Sequence, residues 1–108
     1  TTLTYRGTIG TRAQVDVLSA ANLTMNSSDY IGLVADYAIE TAINARRFGT
    51  VTVAFNNTTS TNSDISTLDL GGTTSAVGFS TTGELFVVNS DATNTVDIAM
   101  SFKLISVP

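Results

Sequence analysis

With no histidine and no cysteine in 108 residues, acid–base and metal chemistry near neutral pH falls almost entirely to carboxylates. There are nine: Asp16, Asp29, Asp36, Glu40, Asp64, Asp69, Glu84, Asp91 and Asp97. Histidine's absence removes the Ser-His-Asp and Cys-His triads, the zinc deaminase and protease sites, and the usual proton shuttle. Without cysteine there is neither a disulfide framework nor a thiolate metal site. An enzyme built from this chain would rely on carboxylates, tyrosine, Lys103 or a metal. Asp36 and Glu40, four apart, would share one face of a helix, and glycosidases do place two carboxylates about a bond. Acids at that spacing more often mark a solvated helix face, which is the preferred reading.

Other motifs reduce to structure in the same way. Gly71-Gly72-Thr73-Thr74 has the glycines of a phosphate loop but neither the lysine nor the spacing, so a hairpin turn accounts for it. Asn62, Asp64, Ser66 and Asp69 offer oxygens to a calcium ion without the glycine and distal glutamate of a calcium loop. Asn22-Leu23-Thr24, Asn26-Ser27-Ser28 and the overlapping pair at Asn56 and Asn57 match the glycosylation acceptor, as chance predicts in a chain rich in Asn, Ser and Thr. A carbohydrate-binding module usually exposes aromatic platforms. This chain has no tryptophan, and Tyr5, Phe55, Phe79 and Phe102 fall on expected inward positions, leaving only Tyr30 and Phe86. No catalytic, cofactor or metal residue is assigned, and the expectation is a protein that is not an enzyme.

The elements that would carry these residues are mainly β. Leu3, Tyr5, Gly7 and Ile9 alternate with polar neighbours, as do Ala13, Val15 and Val17, then Val51, Val53 and Phe55. The last run is the cleanest, with Val96, Ile98, Met100, Phe102 and Leu104 on one side. Shorter strands are expected around Ile65–Leu70, Ala76–Ser80 and Glu84–Asn89, with turns at Gly10-Thr11, Gly71-Gly72, Thr82-Gly83 and Asn89-Ser90-Asp91. Asn56–Asp64 reads as the longest loop. About seven short antiparallel strands at this spacing predict a sandwich or barrel in a single domain, 1–108.

Residues 30–48 predict one helix. Ser27, Ser28 or Asp29 would cap it, Val34, Tyr37, Ala38, Thr41 and Ala45 would line its buried face, and Arg46 and Arg47 would complement its negative end before Gly49. The same stretch also alternates (Ile31, Leu33, Ala35, Tyr37, Ile39, Ile43, Ala45), so two paired strands are the rival reading.

Composition narrows the partners. Five basic and nine acidic residues make 13% charged and a net charge of −4, about half the charge fraction usual for soluble domains. A folded chain of this mass exposes roughly 5,700 Å², and so few ionised groups cannot cover it. Short Thr, Ser and Asn side chains take their place, and these lose little rotamer entropy when a neighbour covers them. Clustered positive charge for nucleic acid is missing, and no apolar run reaches the roughly 20 residues of a membrane span.

Over its whole length the chain resembles the head decoration or cement proteins of tailed bacteriophages. The features are Thr1-Thr2 at its start, short Thr/Ser/Asn-rich strands without Cys or His, the Ala-rich stretch Ala35–Ala45, and a last strand Val96–Val107 before Pro108. The resemblance implies trimers or other clusters on the capsid surface of a virion, stabilising it against internal pressure, with no functional position carried over. The expected partners are other protein subunits, either a major capsid protein or copies of the chain itself in a homo-oligomer, without nucleic acid, membrane or cofactor. Arg46, Arg47 and Phe86 are the candidate subunit-contact residues. The alternative is a secreted or surface β-domain, an adhesin or carbohydrate-binding module, located outside the cell.

Overall fold

The computed structural model describes residues 2–10, 14–18, 26–41, 44–72, 77–90 and 95–108. Eight strands run through them: β1 (Thr2–Ile9), β2 (Gln14–Leu18), β3 (Tyr30–Thr41), β4 (Arg46–Phe55), β5 (Ser60–Ser66), β6 (Val77–Thr82), β7 (Leu85–Ser90) and β8 (Val96–Ser106). They form two antiparallel sheets, a larger one in the order β1-β8-β3-β4-β5 and a smaller one in the order β2-β7-β6. Inward residues of both sheets share one core, which makes the fold a sandwich.

No helix occurs among the described residues, so the helix expected over 30–48 is corrected to the hairpin β3–β4. Glu40 pairs with Arg46 and Gly32 with Ala54 at its two ends. The turn was hidden in plain residues. The amide of Asn44 donates to the Thr41 carbonyl at 2.9 Å, the Thr41 amide donates to the Ala45 carbonyl at 2.9 Å, and Asn44 holds a positive φ of 64°. Asparagine tolerates that left-handed conformation better than other residues with a side chain, so a hairpin can close without glycine. Tertiary burial then decides between the two periods. Leu33, Ala35, Tyr37 and Ile39 are all buried, and Val34, Asp36 and Ala38 between them are not.

The other hairpins follow local chemistry. Gly83, with φ of 52°, opens the two-residue turn between Thr82 and Leu85, as a glycine-first hairpin turn requires. Asn56 turns β4 into β5 by accepting the amides of Thr58 (2.9 Å) and Thr59 (2.7 Å) on its side-chain oxygen. The expected loop Asn56–Asp64 is therefore short, and β5 begins at Ser60 rather than at Ile65. Neither face of β5 is well covered, so its sequence STNSDIS carries no alternation of apolar residues.

The core is organised by four aromatic rings that cross from sheet to sheet. Tyr37 of the larger sheet lies 4.6 Å from Phe79 of the smaller, Phe79 lies 5.9 Å from Phe86, and Phe86 meets Phe102 edge-on at 5.5 Å. Tyr37 faces Gly49 across the β3–β4 ladder. A methyl group on Gly49 would come within 2.7 Å of the Tyr37 ring and 2.8 Å of the Ile65 carbonyl, so only glycine lets that ring lie against the sheet. The phenol donates to Asp64 Oδ1 at 2.7 Å, pinning the edge strand β5. Burial, and then this hydrogen bond, push the Tyr37 hydroxyl above its ordinary pKa. At the open edges, Ser60 and Asn62 of β5 both donate to Thr81 of β6 at 2.8 Å, joining the two sheets.

Candidate functional site

Because strand side chains alternate, the larger sheet has a second face that points away from the core. The registers place its residues in rows across the strands. One row runs Arg6, Ala99, Ala38, Phe48, with Thr67 donating its amide to the Phe48 carbonyl at 2.8 Å. The row above runs Thr8, Asp97, Glu40, Arg46, Leu70, and the row below runs Thr4, Ser101, Asp36, Thr50, Ile65. Two alanines side by side leave a low floor. Arg6 stands on one side, and Phe48 with the overhanging segment Thr67–Leu70 stands on the other. The result is an open trough of about 890 Å³.

Its far wall is unusually apolar for a surface. Phe48 is 55% exposed, Leu68 92% and Leu70 68%; Ile65, outside the trough in the row below, is 76% exposed. The wall is held by backbone pairing of Leu70 with Arg46 in both directions, at 2.7 and 2.9 Å. These are large apolar groups in one contiguous place, the pattern associated with interaction surfaces.

The trough also collects carboxylates, and their geometry limits what they can do. Glu40 and Asp97 sit directly opposite each other on β3 and β8. Two like charges at that position repel, and each has its own partner. Glu40 Oε2 accepts from Arg46 Nε and Nη2, both at 2.7 Å, and Asp97 Oδ1 accepts from the Thr8 hydroxyl at 2.7 Å. Asp36, accepting from Thr50 at 2.7 Å, is two rows away from Glu40. Along a strand that is roughly 13 Å, beyond the roughly 5–9.5 Å that separates paired glycosidase carboxylates. The helix face proposed for Asp36 and Glu40 is thus a strand face. Among the described residues no three acids come together in a way that could hold a metal ion. Asn62 and Asp64, considered as calcium ligands, are instead bonded to Thr81 and Tyr37.

The three expected contact residues separate. Arg46 lies on the outer face, its side chain more than half exposed and paired with Glu40. Arg47 points the other way. It donates from Nη2 to the Val77 carbonyl at 3.0 Å and lies 5.5 Å from the Tyr37 ring centre, tying the two sheets together. Phe86 is 0% exposed, at the middle of the aromatic crossing, and presents nothing to a partner. Its strand shows buried residues at three consecutive positions, which hides the alternation that would have placed it inward. Phe48, Leu68 and Leu70 were the residues sequence reasoning missed. The sequence places Phe48 at the end of a helix, and Leu68 and Leu70 in a short strand around Ile65–Leu70.

Away from the trough, Glu84 accepts the Ser27 amide at 2.7 Å, and that hydrogen bond holds its carboxyl below the ordinary pKa.

No protein-family model matches the chain, and no curated protein sequence matches it. In fold it is similar to part of a solved structure, the tailspike protein of Acinetobacter phage vB_ApiP_P1, with a TM-score of 0.51 and 14% identity over 97% of this chain. That match takes in 21% of the tailspike chain, so the present chain spans about a fifth of its length.

Proposed function

We propose that the chain is a non-enzymatic structural module of a bacteriophage particle, acting through contacts between protein subunits. The observation that carries this is the apolar wall of Phe48, Leu68 and Leu70 beside an alanine floor on the outer sheet face. A surface of that kind is suited to being covered by protein. Its carboxylates are engaged by Arg46, Thr8 and Thr50, an arrangement suited to a stable surface more than to turnover. The likeness in fold to a stretch of a phage tailspike supports a place in the tail.

A second reading, decoration or cementing of the capsid, is favoured by the low charge of 13%, which lowers the cost of covering large parts of the surface. Immuno-electron microscopy of particles made by the phage that encodes the chain separates the two. Label on the tail supports the first reading and label on the head the second. Absence of the chain from purified particles by mass spectrometry rejects both. Polysaccharide hydrolysis by the pure chain that disappears in Glu40→Gln would reject the non-enzymatic role.

A further inference from the structure

We propose that the outer face of the larger sheet is a self-association surface, and that its occupant is the same face of a second copy of this chain. The inference rests on the reading of the chain as a subunit-contact module and names both the partner and the surface.

Shape comes first. The face carries a hollow, Ala38 beside Ala99, and a ridge, Phe48 with Leu68 and Leu70, side by side. A surface with hollow and ridge adjacent is complementary to itself under a two-fold rotation, the commonest symmetry of soluble oligomers. Let the axis run along the strands between β3 and β4. Then β4 of one copy lies over β3 of the other, and the leucine segment lies over β8. Phe48 sits on the second copy's Ala38, and the contact occurs twice.

Charge follows the same operation. Arg46 and Glu40 are opposite each other on β4 and β3, so the rotation sets each Arg46 above the second copy's Glu40. The existing ion pair, with 59% and 44% of its side chains exposed, extends into a four-membered network without placing like charges together at that position.

Area is sufficient. Five strands about 4.8 Å apart span roughly 24 Å, and the long central strands supply roughly 30 Å of length, giving about 700 Å² per copy. A standard specific interface uses about 800 Å² per partner. A saccharide is a poorer occupant, because the branched side chains of Ile65, Leu68 and Leu70 neither stack on a sugar ring nor hydrogen-bond to it.

The test is the solution mass of the 108-residue chain, measured by light scattering and sedimentation equilibrium from micromolar to hundreds of micromolar. The wild type is expected to reach twice the single-chain mass. Ala38→Arg fills the hollow with a charge, and Leu68→Asp blunts the ridge at an almost fully exposed position. Each should weaken association at least about tenfold, the effect of losing one good anchor. Circular dichroism, and the urea midpoint at concentrations where the wild type is dissociated, should stay unchanged in both. Thr82→Arg, on the smaller sheet, should associate like the wild type. A single-chain mass at every concentration overturns the proposal, as does an oligomer that survives both substitutions. A monomer that still enters particles, but not as Ala38→Arg, rejects the second copy as occupant and leaves the particle reading standing.

Discussion

The two faces of the larger sheet are made by the same strands and follow opposite rules. On the inner face of β3, β4 and β8, Tyr37, Val51 and Phe102 are at most 1% exposed, and the Tyr37 and Phe102 rings each meet another ring. At the alternate positions of the same strands, the outer face carries Ala38, Phe48 and Asp97, open to solvent. Large apolar residues occur on both. What differs is coverage, since the smaller sheet lies over one face and nothing within the described residues lies over the other. Stability therefore resides on the inner face and capacity for contact on the outer, and substitutions should separate the two.

Phe102→Ala tests the inner face most severely. Removing a ring at 1% exposure from the centre of the aromatic crossing should cost about 3–5 kcal/mol, read as a large drop in the urea midpoint. Gly49→Ala should cost about 1–3 kcal/mol, because the new methyl meets both the Tyr37 ring and the Ile65 carbonyl. Tyr37→Phe keeps the ring and loses the hydrogen bond to Asp64, for about 1 kcal/mol. It also carries a pH signature. The Tyr37 pKa is raised in the folded state, so its contribution is whole below the ordinary 10.0 and is lost as pH climbs through the raised value. Denaturation above pH 10 should show a weaker alkaline loss in Tyr37→Phe than in the wild type.

Phe48→Ser, on the outer face, should shift the midpoint of the dissociated chain by no more than about 0.5 kcal/mol. A loss as large as that of Phe102→Ala would erase the contrast between the faces. The smallest effect belongs to Glu84, whose pKa is lowered by the Ser27 amide. Its contribution is present above the ordinary 4.5 and fades as pH falls through the lowered value. Glu84→Gln should lose that small contribution near neutrality, where it is whole, and so flatten the acid limb.

What could be read in the sequence tracks the same contrast. β8 was legible because one of its faces is wholly buried, so Val96, Ile98, Met100, Phe102 and Leu104 alternate cleanly. β5 was illegible because no face is buried, and Asn62 and Asp64 read as loop residues. In β3 a small-residue outer face removed the contrast that distinguishes strand from helix. Ala38 and Gly32 are not polar, and alanine favours helix. The turn at Asn44 lacked the glycine that usually marks one. The trough was beyond reach for a related reason. It is assembled from Arg6, Ala38, Phe48 and Ala99, which lie on four strands and share no local pattern.

β8 lies between β1 and β3, although it is the last of the eight to be synthesised. The partners of Thr2–Ile9 are residues 96–103, so β1 waits until the six strands between them have been made before it can pair with β8. On the ribosome, the β3–β4, β4–β5 and β6–β7 pairs have their partners near at hand. Closure of the larger sheet is a late event dominated by distant contacts, the kind that folds slowly. Until it happens, the nascent polypeptide offers unpaired strand edges to its neighbours, which makes concentration during synthesis a determinant of yield.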